Sequence, residues 1–294
     1  MTTDEKLAAI LAAVQTDPGG RGLARDPHDN LFNATAGDFQ AACRSIVDHA
    51  NPHVVLSTGF FVPHGTPPAY ETDGPLGVVF LSRALKSLGI ATSFEGEDEL
   101  EFALLAGPMD AGYREPHRSR PRATHHIWIE RAGPGADGRC YSMRGRDVSE
   151  YHAAFNATRS PGSAGSLTAC RTIGIGDGGN EIGMGRIPHE TIVKNIPNGD
   201  LIHCRVPTDH LIVAGVSNWG AYALAAGVHV LRGVKPPADL FDPDREREIL
   251  EMMVREGPLV DGVTGKPTPT VDGLTWAEYA KPLIRIREIL ESVC

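Results

Sequence analysis

Apolar positions recur along the chain with two periods, and the switches between them mark out the elements. Leu7, Ile10, Leu11 and Val14 share one face at spacings of three and four, which predicts a helix over 3–15. Phe39, Ala42, Ile46 and Val47 predict a second over 37–49. The short apolar run 53–56 reads as a strand that empties into the loop Ser57-Thr58-Gly59-Phe60-Phe61. Helical spacing returns at Leu76, Val79, Phe80, Ala84 and Leu88. Pro75 suits the first helical position, Asp73 is placed to cap free N–H groups there, and Gly89 stops the helix. Residues 90–94 form the next strand. Strand, helix and strand in close succession make a βαβ unit, so a parallel sheet is expected.

Further along, 97–106 reads as a short helix, 123–130 as a strand and 133–138 as a turn. A strand over 169–175 enters a glycine-rich loop. Another over 210–216 meets a Ser217-Asn218 cap and a helix over 219–231. Amphipathic helices over 244–256 and 275–292 close the chain. This alternation predicts one α/β domain over 1–294, three-layered, with a mainly parallel sheet. The stretch from about 95 to 165 departs from the βα rhythm and is expected to form an inserted or appended α+β subdomain.

Composition narrows the partners. A net charge of −9 without a basic stripe argues against nucleic acid and anionic membrane surfaces. No apolar run approaches the ~18 residues of a membrane span. The N-terminus is acidic and amphipathic rather than signal-like, and the five scattered cysteines lack a C-x-x-C pair. A cytoplasmic protein with reduced thiols is expected. Self-association into a homo-oligomer stays open.

The densest local signal is Gly174-Ile-Gly176-Asp177-Gly178-Gly179-Asn180-Glu181-Ile-Gly183-Met-Gly185. Glycines at this density mean close backbone approach or positive φ. Gly174, Gly176 and Gly179 fit G-x-G-x-x-G, but Gly183, Gly185 and Pro188 interrupt the apolar helix a dinucleotide fold needs next. No P-loop is present either, so neither NAD nor ATP is expected. A loop that binds a metabolite, with Asp177, Asn180 and Glu181 among N–H donors, competes with a loop shaped only for its own packing.

A second signal is Glu71-Thr72-Asp73-Gly74-Pro75, at a helix N-terminus beyond a strand end, where parallel sheets bind ligands. Thr58 and Gly59 line the same crevice. The third is a pair of Asp-Gly turns at Asp261 and Asp272. Plain turn chemistry accounts for both. Taken with Glu71, they instead offer three carboxylates from separate loops to a hard divalent cation such as Mg, Mn or Ca. Arg144, in Tyr141-Ser142-Met143-Arg144-Gly145, is either a carboxylate-binding fork or a surface charge.

These motifs, together with Ser57-Thr58-Gly59-Phe60 and Thr270-Val-Asp272-Gly273, resemble the D-glutamate cyclase family from about residue 50 to the end. The resemblance implies a lyase that converts D-glutamate, a small anionic amino acid, to 5-oxo-D-proline and water. On that reading Asp177, Glu181 and Asp73 are the candidate acid/base groups and Glu71, Asp261 and Asp272 the candidate cation ligands. Thr58, Gly59, Gly178, Gly179 and Asn180 would position the substrate, with Arg144 on its α-carboxylate. The same parts would serve a metal-dependent hydrolase of a small phosphorylated compound, or a binding protein without turnover.

Overall fold

The computed structural model describes residues 1–106, 123–152 and 170–292. Its elements are α1 (Thr3–Val14), α2 (Leu31–Ala34), α3 (Asp38–Val47), β1 (His53–Gly59), β2 (Phe61–Val62), β3 (Ala69–Glu71), α4 (Pro75–Ser87), β4 (Ala91–Phe94), α5 (Asp98–Ala106) and β5 (His125–Arg131). They continue as β6 (Arg171–Gly176), α6 (His189–Asn195), α7 (Gly199–Ile202), β7 (His210–Val213), α8 (Ser217–Arg232), α9 (Pro243–Glu256), β8 (Leu259–Val260), α10 (Trp276–Tyr279) and α11 (Lys281–Glu291).

The main sheet has five parallel strands in the order β4-β1-β5-β6-β7. Alternation along the strands gives each face its own core. Leu56, Ile127, Ile129, Ile173, Ile175 and Ile212 pack on α4 and α8, while Leu211 and Val213 turn to the opposite side with Met184, Ile192 and Ile202. Helices thus cover both faces of a parallel sheet, the α/β layering expected from the sequence. A small second sheet, β2-β3-β8, pairs β3 with β8 in parallel and sets Glu71 beside Val260. Of the subdomain expected over 95–165, residues 107–122 and 153–165 lie outside the described residues. Its described part includes β5, the middle strand of the main sheet.

Three local expectations are corrected. Ser57, Thr58 and Gly59 belong to β1, because each has a partner on β5. The single helix over 275–292 is two: a Thr275–Glu278 capping box starts α10, and Pro282, which has no N–H to offer the preceding turn, opens α11. Ser217 and Asn218 lie inside the first turn of α8, whose N-cap is Val216. Counted in chain order the sheet runs 2-1-3-4-5, and its direction of winding reverses between β1 and β5. In open α/β sheets the crevice outside the strand ends at this switch point is where ligands bind.

Candidate functional site

The carboxyl ends of β1, β5 and β6 converge on the N-termini of α4 and α8. Asp73 follows β3, Glu130 sits at the end of β5, and Asp177 directly follows β6. One oxygen from each lies within 4.8 Å of the others, and all three residues are buried.

Each acid is held by a feature of the backbone. Asp73 accepts the N–H of Gly74, the N-cap of α4, on Oδ1 at 2.9 Å, as the sequence suggests, and the same carboxylate also caps α8. Its Oδ1 accepts the Asn218 N–H at 2.8 Å and its Oδ2 the Ser217 N–H at 2.9 Å. Asn218 returns the arrangement, its Oδ1 accepting the N–H groups of Gly74 and Gly77 at the start of α4. Two helix N-termini therefore cap each other, with Asp73 at the positive end of the α8 dipole. Glu130 occupies a bulge: Thr58 pairs with Ile129 and Gly59 with Arg131, leaving Glu130 unpaired at φ 45. A bulge re-aims one side chain, and a left-handed non-glycine residue stores strain of roughly 1–3 kcal/mol. Glu130 Oε2 accepts the Ser217 hydroxyl at 2.5 Å.

The glycine-rich loop behaves differently from the bare N–H cradle the sequence suggests. Glu181, fully buried, accepts the N–H of Asp177 on Oε1 and that of Gly179 on Oε2, at 2.9 and 2.7 Å. Its carboxylate thus holds the loop that presents Asp177. Gly179 has φ +103 and turns its open side to Ile192 and Ile196. Gly178 lies against Met143 and Asn180, and Asn180 donates to the Tyr141 carbonyl at 2.7 Å, tying the 141–143 segment to the loop.

The other candidate residues divide by location. Glu71 is buried and accepts no hydrogen bond among the described residues. Asp272, at φ 55, puts Oδ1 on Arg21 and leaves Oδ2 buried without a partner. Thr58 Oγ1 and Asn180 Oδ1 are likewise buried and unpartnered. Unmade hydrogen bonds in a buried polar site are costly and mark places where a ligand completes the set. Gly59 packs against Leu100, Tyr70 and Arg131. Asp261 is saturated, accepting the N–H groups of Val263, Thr264 and Gly273 and the Thr270 hydroxyl; it builds the loop that carries Asp272. Arg144 is exposed, on His64 Nε2 at 3.0 Å and the Val263 carbonyl at 3.3 Å.

Crowding raises the proton affinity of these acids. Burial first, and Asp272 second, push Asp73 up to about 7, against the lowering effect of the Asn218 and Ser217 N–H groups. Burial, then Glu181 and Asp73, hold Glu130 well above the usual carboxylate range. Burial, then Asp272 and Asp73, do the same for Glu71. Asp177 is raised by burial against the pull of Arg21. Protons shared among such carboxylates, or a divalent cation, relieve the repulsion. The donors are all hard oxygens from three separate strand ends, which suits Mg, Mn or Ca.

Two residues of the site escaped the sequence reading. Glu130 shows there only as the last residue of a strand. Arg21 lies in Asp17-Pro18-Gly19-Gly20-Arg21-Gly22, where its one signal is an arginine set among glycines.

The chain matches the family described as D-glutamate cyclase-like, C-terminal, over residues 10–95 and 92–287, a span that includes Arg21. A human protein named D-glutamate cyclase, mitochondrial, is 30% identical over 337 residues, covering 97% of this chain and 52% of that protein. The chain spans about half the length of this relative. With its motifs on one crevice and the match running almost end to end, the chain belongs to the D-glutamate cyclase-like family.

Proposed function

We propose that this protein is a lyase that cyclises D-glutamate to 5-oxo-D-proline and water, assisted by a divalent cation. The observation that carries the reading is the buried set Asp73, Glu130 and Asp177, gathered from three strand ends at the switch point of the sheet. These three would hold the cation, which when bound supplies charge neutralisation and polarisation at the substrate's γ-carboxylate.

The chain's own residues supply the proton chemistry. The α-ammonium must lose a proton before its nitrogen can attack the γ-carboxyl carbon. Glu71, whose carboxylate accepts no hydrogen bond among the described residues and is raised in proton affinity by burial and by Asp272, is matched to take it. The C–N bond forms as one carboxyl oxygen leaves. That oxygen departs as water with two protons, both originally on the ammonium nitrogen. Glu71, which has just taken one of them and lies outside the cation-holding set, is placed to return it to the departing oxygen. Thr58 Oγ1 and Asn180 Oδ1 offer the buried hydrogen-bonding positions against which the chain folds into a five-membered ring. No helix among the described residues is long and apolar enough to cross a membrane. Cytoplasmic placement is part of the same proposal, and fractionation of cells that express the protein tests it.

Incubating the purified protein with D- or L-glutamate, with and without Mg²⁺ or Mn²⁺, and following 5-oxoproline by chiral chromatography tests the reaction. Cation-dependent product from the D-isomer is expected. No product from either isomer under any condition refutes it, and phosphate release from small phosphomonoesters would point to a hydrolase instead.

A further inference from the structure

The segment ahead of α2 puts one cation among these acids. Asp17 accepts the N–H groups of Arg21, Gly22 and Leu23 at 2.8, 2.8 and 3.1 Å, closing a tight turn. The turn is pinned from two sides: Gly22 lies against the Asn195 carbonyl, and Gly215 lies so near the Thr16 carbonyl that neither glycine has room for a Cβ. From this turn Arg21 reaches inward. Its Nη1 donates to Asp177 Oδ2 at 2.6 Å and to the Gly215 carbonyl at 3.3 Å, and its Nη2 meets Asp272 Oδ1 at 2.9 Å. The Arg21 side chain is 16% exposed, so water screens these contacts little.

Asp177 therefore stands in two sets. It belongs to the three-carboxylate set, and it is also the closest partner of a fixed guanidinium. Independent of the carboxylates, the buried and unpartnered Thr58 Oγ1 marks the same strand ends as incomplete without a ligand.

We propose that Arg21 is the internal counter-ion of the cation site: it occupies Asp177 when no divalent ion is present, competes with that ion for the carboxylate, and thereby sets the site's affinity. Because Arg21 is part of the Asp17 turn, occupancy of the site is coupled to the order of that turn. The inference rests on the divalent-cation part of the proposed function and not on the identity of the substrate.

Calorimetric titration of the full chain with MnCl₂ tests it, using wild type, Arg21→Gln and Arg21→Lys. Removing a fixed positive charge next to a ligand oxygen should tighten Mn²⁺ binding by about tenfold or more, while Lys, which keeps the charge, should stay within about threefold of wild type. In the wild-type protein, hydrogen exchange at the amides of residues 21–23 should speed up when Mn²⁺ is added. A folded Arg21→Gln protein with unchanged or weaker Mn²⁺ affinity overturns the proposal. So does slower exchange in the turn on adding Mn²⁺, a readout that stands even if Arg21→Gln does not fold. Wild-type protein that takes up no Mn²⁺ overturns the cation reading as well, whereas Mn²⁺ uptake with no difference at Arg21→Gln overturns this proposal alone.

Discussion

Gly74 is the point at which the site's backbone is tightest, and Gly74→Ala tests whether that tightness is what joins the helix to the strand ends. Its φ is +92, a conformation that costs an L-residue roughly 1–2 kcal/mol. A Cβ there would collide with Thr58 Oγ1 and lie 2.8 Å from Glu130 Cβ and 3.0 Å from the Ile129 carbonyl. The last two are a strand backbone and a bulge, neither of which moves freely, so overpacking adds about 1–3 kcal/mol. The expected loss is about 2–5 kcal/mol, which for a chain of this size lowers Tm by about 3–8 °C. Gly89→Ala is the control. It has φ +72 and nothing within 4 Å of its Cβ, so it carries the conformational cost alone, about 1 kcal/mol. Melting curves by circular dichroism separate the two. Adding Thr58→Ala to Gly74→Ala should recover part of the loss, because it removes the nearest clashing atom. If Gly74→Ala melts within about 1 °C of Gly89→Ala, the close approach is not the constraint we describe.

Asp73→Asn and Glu130→Gln should each abolish Mn²⁺ uptake in calorimetry while the far-ultraviolet spectrum stays native; unchanged affinity in either would remove that residue from the cation site. Asp261→Asn should cost about 2–3 kcal/mol in urea denaturation, because an amide can accept for only one of the two pairs of donors that the carboxylate now serves. Glu246, buried on α9, accepts from Tyr222 and is pushed up to about 8, chiefly by burial, against the lowering effects of Tyr222 and Arg83. Its folded-state proton affinity exceeds the unfolded one, so its contribution to stability is full below about pH 4.5 and falls away as pH rises to 8. Glu246→Gln has no proton to lose and should gain a few kcal/mol on wild type between pH 5 and pH 8; parallel stability–pH curves for the two proteins would contradict this.

The parts of the site legible in the sequence are those whose chemistry is local. Asp73, Gly74 and Pro75 mark a helix start beyond a strand end, and the run around Gly179 marks a loop of close approach, because turn and cap rules act over a few residues. What stayed hidden depends on register and direction. Nothing in the sequence says that β5 slips by one residue at Glu130, yet that slip aims its carboxylate at Asp73. Asp261 and Asp272 read as equivalent Asp-Gly turns, but one points into its own loop's N–H groups and the other toward Arg21. Asp73 was expected to cap the helix it precedes and does accept the Gly74 N–H there; its contact with the helix that begins 144 residues later at Ser217 is made by the fold alone. Arg21 lies 156 residues from Asp177, and only its glycine neighbours hinted that its backbone is special.

The reciprocal caps explain how so acidic a crevice is held together. Carboxylates that repel one another need fixed positive partners, and beside Arg21 these are backbone N–H groups that do not titrate and do not swing away. Asp73 takes its donors from α8, and Asn218 of α8 serves α4 in return. The two helices must therefore lie at one distance and one angle for either cap to form. Gly77 allows that approach, since a Cβ there would press on Asn218 Oδ1 and Ala221 Cβ at 2.8 and 3.1 Å. One turn on from Gly77, Phe80 packs on Tyr222, the neighbour of Ala221, with ring centroids 4.4 Å apart. The distance between Asp73 and Glu130 is thus set by apolar packing between α4 and α8 as well as by the strands, because Ser217, which donates its hydroxyl to Glu130 and its N–H to Asp73, moves with α8.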